Sequence, residues 1–287
     1  MEPEKKSMQV LTTIAALSQW RAYATPPIGF VATMGFLHEG HLSLIRRARA
    51  ENNTVVASIF VNPTQFGPHE DFQDYPRDLN RDFALLEAAQ VDAVFTPAVN
   101  EMYPAGASTV VEVAALSNIL EGASRPGHFG GVATVVCMLF HVVQPDRAYF
   151  GEKDYQQLQV IRRVVQDLHL PVEIVGCPTI RQPDTVALSS RNVYLSLPER
   201  DAAVAVPEAL FRAQRLYTAG EREVATLQAA VHQRLANEPL IRPDYVAIVH
   251  PHTLQPLVVV GLEGGVLCVA VWVGKTRLID NIRLEGS

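Results

Sequence analysis

The sequence predicts an α/β fold: a Rossmann-like, doubly wound parallel sheet followed by a smaller α+β domain. Two observations lead to this prediction. Apolar runs typical of buried strands alternate with amphipathic stretches over the first two thirds of the chain. Such alternation favours a parallel sheet covered by helices on both faces. After about Arg181 the alternation stops, and two helical stretches are followed by a β-hairpin pattern.

The strands of the first part are predicted from runs rich in β-branched and aromatic residues. In chain order they occupy residues 28–32, 55–61, 91–95, 109–113, 147–150 and 172–175. Helices with apolar residues at helical spacing are predicted from about residue 40 and over 79–89, 131–143 and 155–168. Ligands of such sheets bind beyond the carboxyl ends of the strands. The segments after Ala32, Val61 and Phe150 are therefore the candidate binding segments.

Pro183 and Asp184 interrupt the pattern and mark a joint between two predicted domains, residues 1–182 and 183–287. The second domain is predicted to contain helices at 198–219 and 223–236 and strands at 245–249, 266–273 and 277–282. Gly274 and Lys275 form the turn of its hairpin. We expect this smaller domain to act as a lid over a ligand that the larger domain binds.

Composition excludes several classes of function. The 287 residues are 48% hydrophobic, enough for a sizeable core, and a net charge of −6 argues against a nucleic-acid partner. The three cysteines form no CxxC pair, so buried free thiols are expected. The N-terminal residues lack the apolar core of a signal peptide, and no apolar run is long enough to cross a bilayer. We therefore expect a cytoplasmic protein without a membrane partner.

Residues 33–41, TMGFLHEGH, follow a predicted core strand and begin an amphipathic helix. Gly35 permits a tight turn, and the spacing of His38 and His41 places both imidazoles on one side of the first helical turn. A helix N-terminus attracts phosphate, and two histidines there can donate to its oxygens as charge moves to a leaving group. The segment predicts a nucleotide site, although ordinary cap or surface histidines are the alternative.

Three further segments carry groups suited to this chemistry. The amides of Asn62 and Gln65 can bind a small polar substrate without adding charge. Lys153 and Asp154, after the fifth predicted strand, suit a phosphate and a ribose. Residues 188–192, LSSRN, offer two hydroxyls and a guanidinium for a triphosphate. Each segment taken alone is also compatible with a turn, a solvated charged loop or a serine-rich linker.

Two other segments are less specific. The glycine-rich stretch at 121–131 contains Arg125 and His128 and is either a substrate-facing loop or a flexible connection. His250-Pro251-His252 resembles part of a metal site, but no third ligand is evident, so a loop is favoured.

Together these motifs resemble the pantoate–β-alanine ligase family of HxGH nucleotidyltransferases. The matching segments are TMGFLHEGH, SIFVNPTQFGPHEDFQDYPR, MYP at 102–104, GHFGGVATVV, PDRAYFGEKDYQQL, TIR at 179–181, LSSRN and a C-terminal GKTRLIDN. They cover most of residues 28–195 and the tail. The resemblance implies that ATP and pantoate form a pantoyl adenylate and pyrophosphate, and that β-alanine then gives pantothenate and AMP.

The resemblance also assigns roles to matching residues. It implies catalytic roles for His41 as proton donor and for His38, Lys153 and Arg191. It implies ATP binding by Met34, Gly35, Phe36, Leu37, His38, Glu39, Gly40, His41, Gly151, Glu152, Lys153, Asp154, Ile180 through its backbone, Leu188, Ser189, Ser190 and Arg191. It implies substrate binding by Gln65, Gln157, Asn62 and Arg125. Mg2+ would arrive with ATP, with Asp82 a candidate ligand, and the protein would be a homodimer.

Departures from the family pattern are few. Leu188 stands where methionine is frequent, and Thr185 stands where glycine is common, which is expected to stiffen its loop. One alternative is another HxGH nucleotidyltransferase acting on a phosphorylated acceptor, which would require a basic pocket. A non-catalytic nucleotide-binding protein is a second alternative, but it would be expected to have lost His41, Lys153 or Arg191, and all three are present.

Overall fold

The computed structural model describes residues 7–68 and 70–285, and it divides into two compact units. Unit 1 comprises the described chain up to Glu152 together with Val160–Pro178, and unit 2 comprises Lys153–Gln159 together with the chain from Thr179 onward. The sequence predicted a domain boundary after residue 182, and the chain passes into unit 2 nearby, at Thr179. That residues 153–159 also belong to unit 2 was not predicted. His69 of the SIFVNPTQF segment and the first six residues lie outside the described residues.

Unit 1 contains a six-stranded sheet in which every strand pair is parallel. Its strands are β1 (Gln9–Leu11), β2 (Ile28–Thr33), β3 (Thr54–Ile59), β4 (Ala93–Phe95), β5 (Arg147–Gly151) and β6 (Glu173–Cys177). The spatial order is β1-β4-β3-β2-β5-β6, so the direction in which successive strands are added reverses between β2 and β5. This reversal is the point at which doubly wound sheets bind ligands. The predicted fold class is confirmed, with the short edge strand β1 as an addition.

The helices of the first part connect these strands. They are α1 (Ile14–Arg21), α2 (Glu39–Glu51), α3 (Leu79–Ala88), α4 (Val99–Met102), α5 (Ala114–Ser117), α6 (Glu121–Ser124), α7 (His128–Val143) and α8 (Tyr155–Asp167). All six residues of β3 are buried, which explains its continuous apolar sequence, since a central parallel strand is covered on both faces. One core cluster joins Val31, Ile45, Ala57 and Leu86. None of the described helices is long and apolar enough to cross a membrane.

The strand predicted at 109–113 is wrong, because this segment is irregular. The N–H of Val111 donates to Thr134 Oγ1 on α7 at 2.9 Å instead of joining the sheet. Val110 is 69% exposed. The β-branched residues suggested a strand, but β propensity reflects packing on a pleated surface and supplies no pairing partner by itself.

Unit 2 contains a three-stranded antiparallel sheet in the order β7-β8-β9 and three helices. Its elements are α9 (Leu197–Ala202), α10 (Ala205–Thr218), α11 (Val224–Ala236), β7 (Ile241–Val249), β8 (Gly265–Val273) and β9 (Thr276–Leu284). The helix predicted at 198–219 is interrupted between α9 and α10. Pro207 explains the interruption, because its ring clashes with the carbonyl of Ala203 in a continuous helix and is tolerated only in a first turn.

A small hairpin precedes these helices in unit 2. Leu188 N–H donates to Ile180 O at 3.0 Å, and Thr185 N–H donates to Gln182 O at 2.8 Å. Thr185 has a φ of 73°, in the left-handed region that suits glycine and strains a β-branched residue. The structure thus gives a physical reason for the glycine that is common at this position in the family that the sequence resembles.

We predict that Thr185→Gly raises the free energy of unfolding by about 1 kcal/mol, because relief of left-handed strain exceeds the added chain entropy of glycine. Denaturant unfolding followed by circular dichroism measures this difference. Thr185→Ala is the matched control, since it removes the branch and keeps Cβ. It should raise the free energy of unfolding by less than the glycine variant does. A glycine variant no more stable than the alanine variant would contradict the strain.

Candidate active site

A buried carboxylate shapes the turn between β2 and α2. Gly35 and Phe36 have φ values of 83° and 50°, so two successive residues occupy the left-handed region. Asp82 on α3 is 1% exposed, and its oxygens accept hydrogen bonds from the N–H groups of Phe36 and Leu37, both at 2.7 Å. Thr33 Oγ1 accepts from Gly35 N–H at 3.2 Å. Because these acceptors satisfy the turn's backbone donors, the strained conformation is held in place.

The two histidines of the turn cap α2 reciprocally. His38 Nδ1 accepts from Gly40 N–H at 3.1 Å, and His41 Nδ1 accepts from His38 N–H at 3.3 Å. A neutral imidazole whose Nδ1 accepts a hydrogen bond carries its proton on Nε2. The ring centroids are 4.1 Å apart, as the sequence spacing predicts. The pair therefore presents two Nε2–H donors at a helix N-terminus, where the helix dipole also favours an anion.

Asn62, predicted to bind substrate, is 1% exposed and bonded to protein atoms. Its Nδ2 donates to Gln65 Oε1 and to Gly131 O, both at 3.1 Å, and its Oδ1 accepts from Tyr103 O–H at 2.8 Å. Gln65 thereby directs its Nε2 toward Met34 Sδ, 3.2 Å away. These bonds make Asn62 orient Gln65, and its substrate-binding role stays a prediction.

Close approach of α7 fixes the same segment from the other side. A Cβ built at Gly131 would collide with the backbone of Thr64 and Gln65. Only glycine lets the helix come this near. This contact accounts for the last glycine of the GHFGG segment and explains why the stretch at 121–131 is not a flexible connection throughout.

Arg125, also predicted to bind substrate, forms a two-point ion pair with Glu70. The distances are 2.8 Å from Nε to Oε1 and 2.5 Å from an Nη to Oε2. Burial raises the pKa of Glu70, but the hydrogen bond and charge of Arg125 outweigh burial and lower the pKa overall. The ion pair makes Arg125 part of the frame around Gln65, and its substrate-binding role stays a prediction.

His128 connects this ion pair to Gln65. An Arg125 Nη lies 3.1 Å from His128 Nε2, which must accept because a guanidinium has no acceptor atom. His128 Nδ1–H then donates to Gln65 O at 2.8 Å. Burial, reinforced by the positive charge of Arg125, lowers the pKa of His128 to about 4. Gln65 is therefore held by its backbone through neutral His128 and by its side chain through Asn62.

The strand order reverses between β2 and β5, so the carboxyl end of β5 lies beside that of β2 in unit 1. Gly151 and Glu152 lie there, and β5 pairs with β2 in the sheet. No atom lies within 4 Å of a Cβ built at Gly151. The backbone at this strand end therefore has open space beside it, as an approaching ligand requires.

The remaining predicted site residues belong to unit 2. Lys153 Nζ lies 3.5 Å from Asp154 Oδ1, and Gln157 is half-buried on α8. The carbonyl of Ile180 accepts from Leu188 N–H, which fixes the backbone that is predicted to bind ATP.

The LSSRN segment forms a capped 3-10 turn in unit 2. Ser189 Oγ accepts from Arg191 N–H at 3.3 Å and caps the 3-10 helix Ser190–Tyr194. With its oxygen used as an acceptor, the Ser189 hydroxyl keeps its proton for donation. Ser190 is buried, and Arg191 is half-buried.

No group of three or more His, Cys, Asp or Glu side chains within residues 7–68 and 70–285 could hold a metal ion. Asp82, considered as a ligand for Mg2+, uses both oxygens on the backbone of the turn. In the His250-Pro251-His252 segment, His250 Nδ1 accepts from His252 N–H at 3.1 Å, and Nε2 lies 2.7 Å from Glu263 Oε2. The loop interpretation of that segment is confirmed.

The sequence did not predict that Asp82 holds the turn or that Glu70 and Tyr103 support the site. A signal for Asp82 existed, because an acid four residues before the core residue Leu86 shares the inward face of α3. Glu70 and Tyr103 carried no comparable signal, since their partners are 55 and 41 residues away in the chain.

Comparisons with known proteins give a consistent result. Residues 9–283 match the family described as Pantoate-beta-alanine ligase. The pantothenate synthetase of Chloroflexus aurantiacus (strain ATCC 29366 / DSM 635 / J-10-fl) is 57% identical over 280 residues, which cover 98% of this chain and 99% of that protein. That of Moorella thermoacetica is 56% identical, covering 97% and 99%.

Solved structures agree with this match. The crystal structure of pantothenate synthetase from Thermus thermophilus superposes with a TM-score of 0.93 at 53% identity, covering 97% of this chain and 100% of that one. The pantoate–β-alanine ligase of Francisella tularensis, complexed with β-γ ATP and β-alanine, has a TM-score of 0.80 at 36% identity, covering 98% and 99%.

We predict that His128 makes stability decrease as the pH falls from 6.5 toward about 4. Between these pH values the unfolded chain binds a proton at His128 and the folded protein does not, so a fall in pH favours unfolding. Above pH 6.5 neither state binds this proton, and neutral His128 makes its full contribution to stability. Denaturant unfolding at a series of pH values measures the slope.

His128→Gln keeps an acceptor for Arg125 and does not titrate, so its stability should depend less on pH across this window. His141→Gln, at an exposed position on the same helix, is the matched control and should keep the slope of the unmodified protein. Equal slopes for all three proteins would show that His128 is not the responsible group.

Proposed function

The chain belongs to the pantoate–β-alanine ligase family, and we propose that its reaction passes through a pantoyl adenylate formed at the turn between β2 and α2. It is a ligase that uses ATP to join pantoate to β-alanine. The observation that carries the proposed mechanism is the reciprocal capping of His38 and His41, because it fixes both imidazoles as Nε2–H donors. The Francisella relative was solved with β-γ ATP and β-alanine, which supports the assignment of substrates.

In the first half-reaction a pantoate carboxylate oxygen attacks the α-phosphorus of ATP and pyrophosphate leaves. Negative charge then increases on the leaving group. The Nε2–H groups of His38 and His41 and the N-terminus of α2 stabilise that charge, and their geometry exists before the reaction begins. His41 is assigned as the proton donor of this step.

In the second half-reaction the neutral amine of β-alanine attacks the acyl carbon of the adenylate. The bond from that carbon to the phosphate oxygen breaks, AMP leaves, and the nitrogen releases one proton to solvent as the amide forms. Gln65 is assigned to pantoate, and its side-chain amide is held by Asn62 and its backbone by His128, so little reorganisation is needed. Gln157 is assigned to the same substrate. A phosphorylated acceptor would need cationic groups near Gln65, but the nearby guanidinium of Arg125 is paired with Glu70. The uncharged amides therefore favour a hydroxy acid over the alternative acceptor.

Further assignments rest on the matching motifs. Lys153, Ser189, Ser190 and Arg191 are assigned to the phosphates of ATP. Mg2+ enters with ATP on the phosphates, which suits a cation that keeps much of its hydration shell. The protein is assigned to the cytoplasm and to a homodimeric assembly, as expected for the family that the sequence resembles.

We predict that His41→Asn and Lys153→Ala each slow pyrophosphate release by about a hundredfold or more, because each removes one group that stabilises developing charge. Asparagine retains an oxygen in place of Nδ1 and so preserves the cap of α2, which makes it a better test than alanine. Thermal unfolding of both variants checks that the fold is intact. Near-normal rates in both variants would rule out the proposed site.

The substrates are tested by measuring pyrophosphate release from the purified protein with ATP and Mg2+. Release should begin when pantoate is added, and pantothenate should form when β-alanine follows. A phosphorylated acceptor or another acid that supports release where pantoate does not would preserve the nucleotide site and reject the assigned acceptor.

A further inference from the structure

Strand β9 of unit 2 carries two adjacent buried polar residues, Asp280 and Asn281, which are 4% and 7% exposed. They end the GKTRLIDN segment, one of the segments in which the sequence resembles the family. The mechanism proposed above gives this segment no role. Buried polar groups are costly unless they have partners. Their partners therefore indicate what the segment does.

Asn281 binds the backbone of the lysine assigned to phosphate. Its Nδ2 donates to the carbonyl oxygen of Lys153 at 2.8 Å, across 128 residues of sequence. This bond uses only the backbone of Lys153, whose ammonium lies 3.5 Å from Asp154 Oδ1, and it fixes the point from which the side chain extends. A flexible lysine held at its backbone has fewer conformations to lose on binding.

Asp280 binds the segment that leads to the other assigned phosphate ligands. Its oxygens accept from the two Nη atoms of Arg181 at 2.6 and 2.9 Å, and Arg181 also donates to Thr185 O at 3.1 Å. The Arg181 guanidinium lies 5.4 Å from the centre of the Phe211 ring. The hairpin that continues into Ser189 is thus tied to β9 by a planar two-point ion pair and a cation–π contact.

The two anchors are also joined to each other. Asp280 Oδ1 accepts from Asn281 N–H at 2.8 Å, and an Arg181 Nη donates to Asn281 O at 3.2 Å. Two adjacent positions of β9 therefore hold both the turn just before α8 and the 180–188 hairpin within unit 2.

We propose that Asp280 and Asn281 are positioning residues that hold Lys153 and the Ser189–Arg191 segment in register with each other for the phosphates of ATP. The inference rests on the proposed function, since it requires those residues to bind phosphate. It assigns to the C-terminal signature a role in the adenylate-forming half-reaction. The later attack by β-alanine occurs after pyrophosphate has left and depends less on this register.

Asn281→Ala is the most direct test, because Asn281 is neutral and its loss strands no buried charge, unlike a change at Asp280. We expect single-turnover pyrophosphate release to slow about tenfold or more, since small misplacement of a binding group is costly. Pantothenate formation from supplied pantoyl adenylate and β-alanine should change little. An equal loss in both half-reactions would indicate a general structural role and overturn the proposal.

Two further variants keep the test independent of folding. Asn281→Leu has a similar shape, lacks the donor and adds no buried charge, so it replaces the alanine variant if that protein is unstable, and it should also slow pyrophosphate release selectively. Arg277→Ala is the matched control, because it breaks an ion pair with Asp244 in the same antiparallel sheet and leaves Asp280 and Asn281 unchanged. It should lower thermal stability without selective loss of the first half-reaction.

A double-mutant cycle with Lys153→Ala decides whether Asn281 acts through the lysine. If it does, the combined variant should be no slower than Lys153→Ala alone. Additive losses would mean that Asn281 acts elsewhere and would overturn the inference while leaving the proposed function intact. Normal pyrophosphate release in Lys153→Ala itself would instead reject the assigned phosphate role, and the inference with it.

Discussion

The turn between β2 and α2 depends on the hydrogen bonds between the Asp82 carboxylate and the backbone of Phe36 and Leu37. Two successive left-handed residues would not persist in a surface loop without an external partner, because only Gly35 adopts such a conformation without strain. The buried carboxylate supplies that partner from another helix. It thereby sets where α2 begins, and so where the two capping histidines direct their Nε2–H donors.

A common arrangement links the parts of this protein that the reaction requires. Gln65 is oriented by Asn62 and His128, and in unit 2 the backbone of Lys153 is held by Asn281. In each case a residue assigned to a ligand is fixed by a buried neighbour that does not itself need to reach the ligand. Donors held in this way act without reorganisation when charge develops, and such preorganisation is a major source of electrostatic catalysis.

The same arrangement explains why several polar residues have their polar atoms committed to protein partners. Arg125 neutralises Glu70, and Arg181 neutralises Asp280. Removing one member of such a pair would leave the other charge buried and uncompensated, which costs far more than the pair contributes. The charged frame therefore restricts each unit to one arrangement of its loops, even where Thr185 is held in a strained conformation.

The sequence alone determined the doubly wound sheet, the antiparallel sheet after it and the pairing of His38 with His41, because periodicity and short spacing are local properties of the chain. Local patterns also misled: the valines at 110 and 111 predicted a strand that has no partner, and the apolar pattern across Ala203 concealed an interruption. Only the tertiary structure assigned Asn62 and Arg125 to the frame and gave Asp82 and Asn281 their partners. Those hydrogen bonds join residues tens to more than a hundred positions apart, and no spacing in a single sequence encodes which distant donors and acceptors will meet.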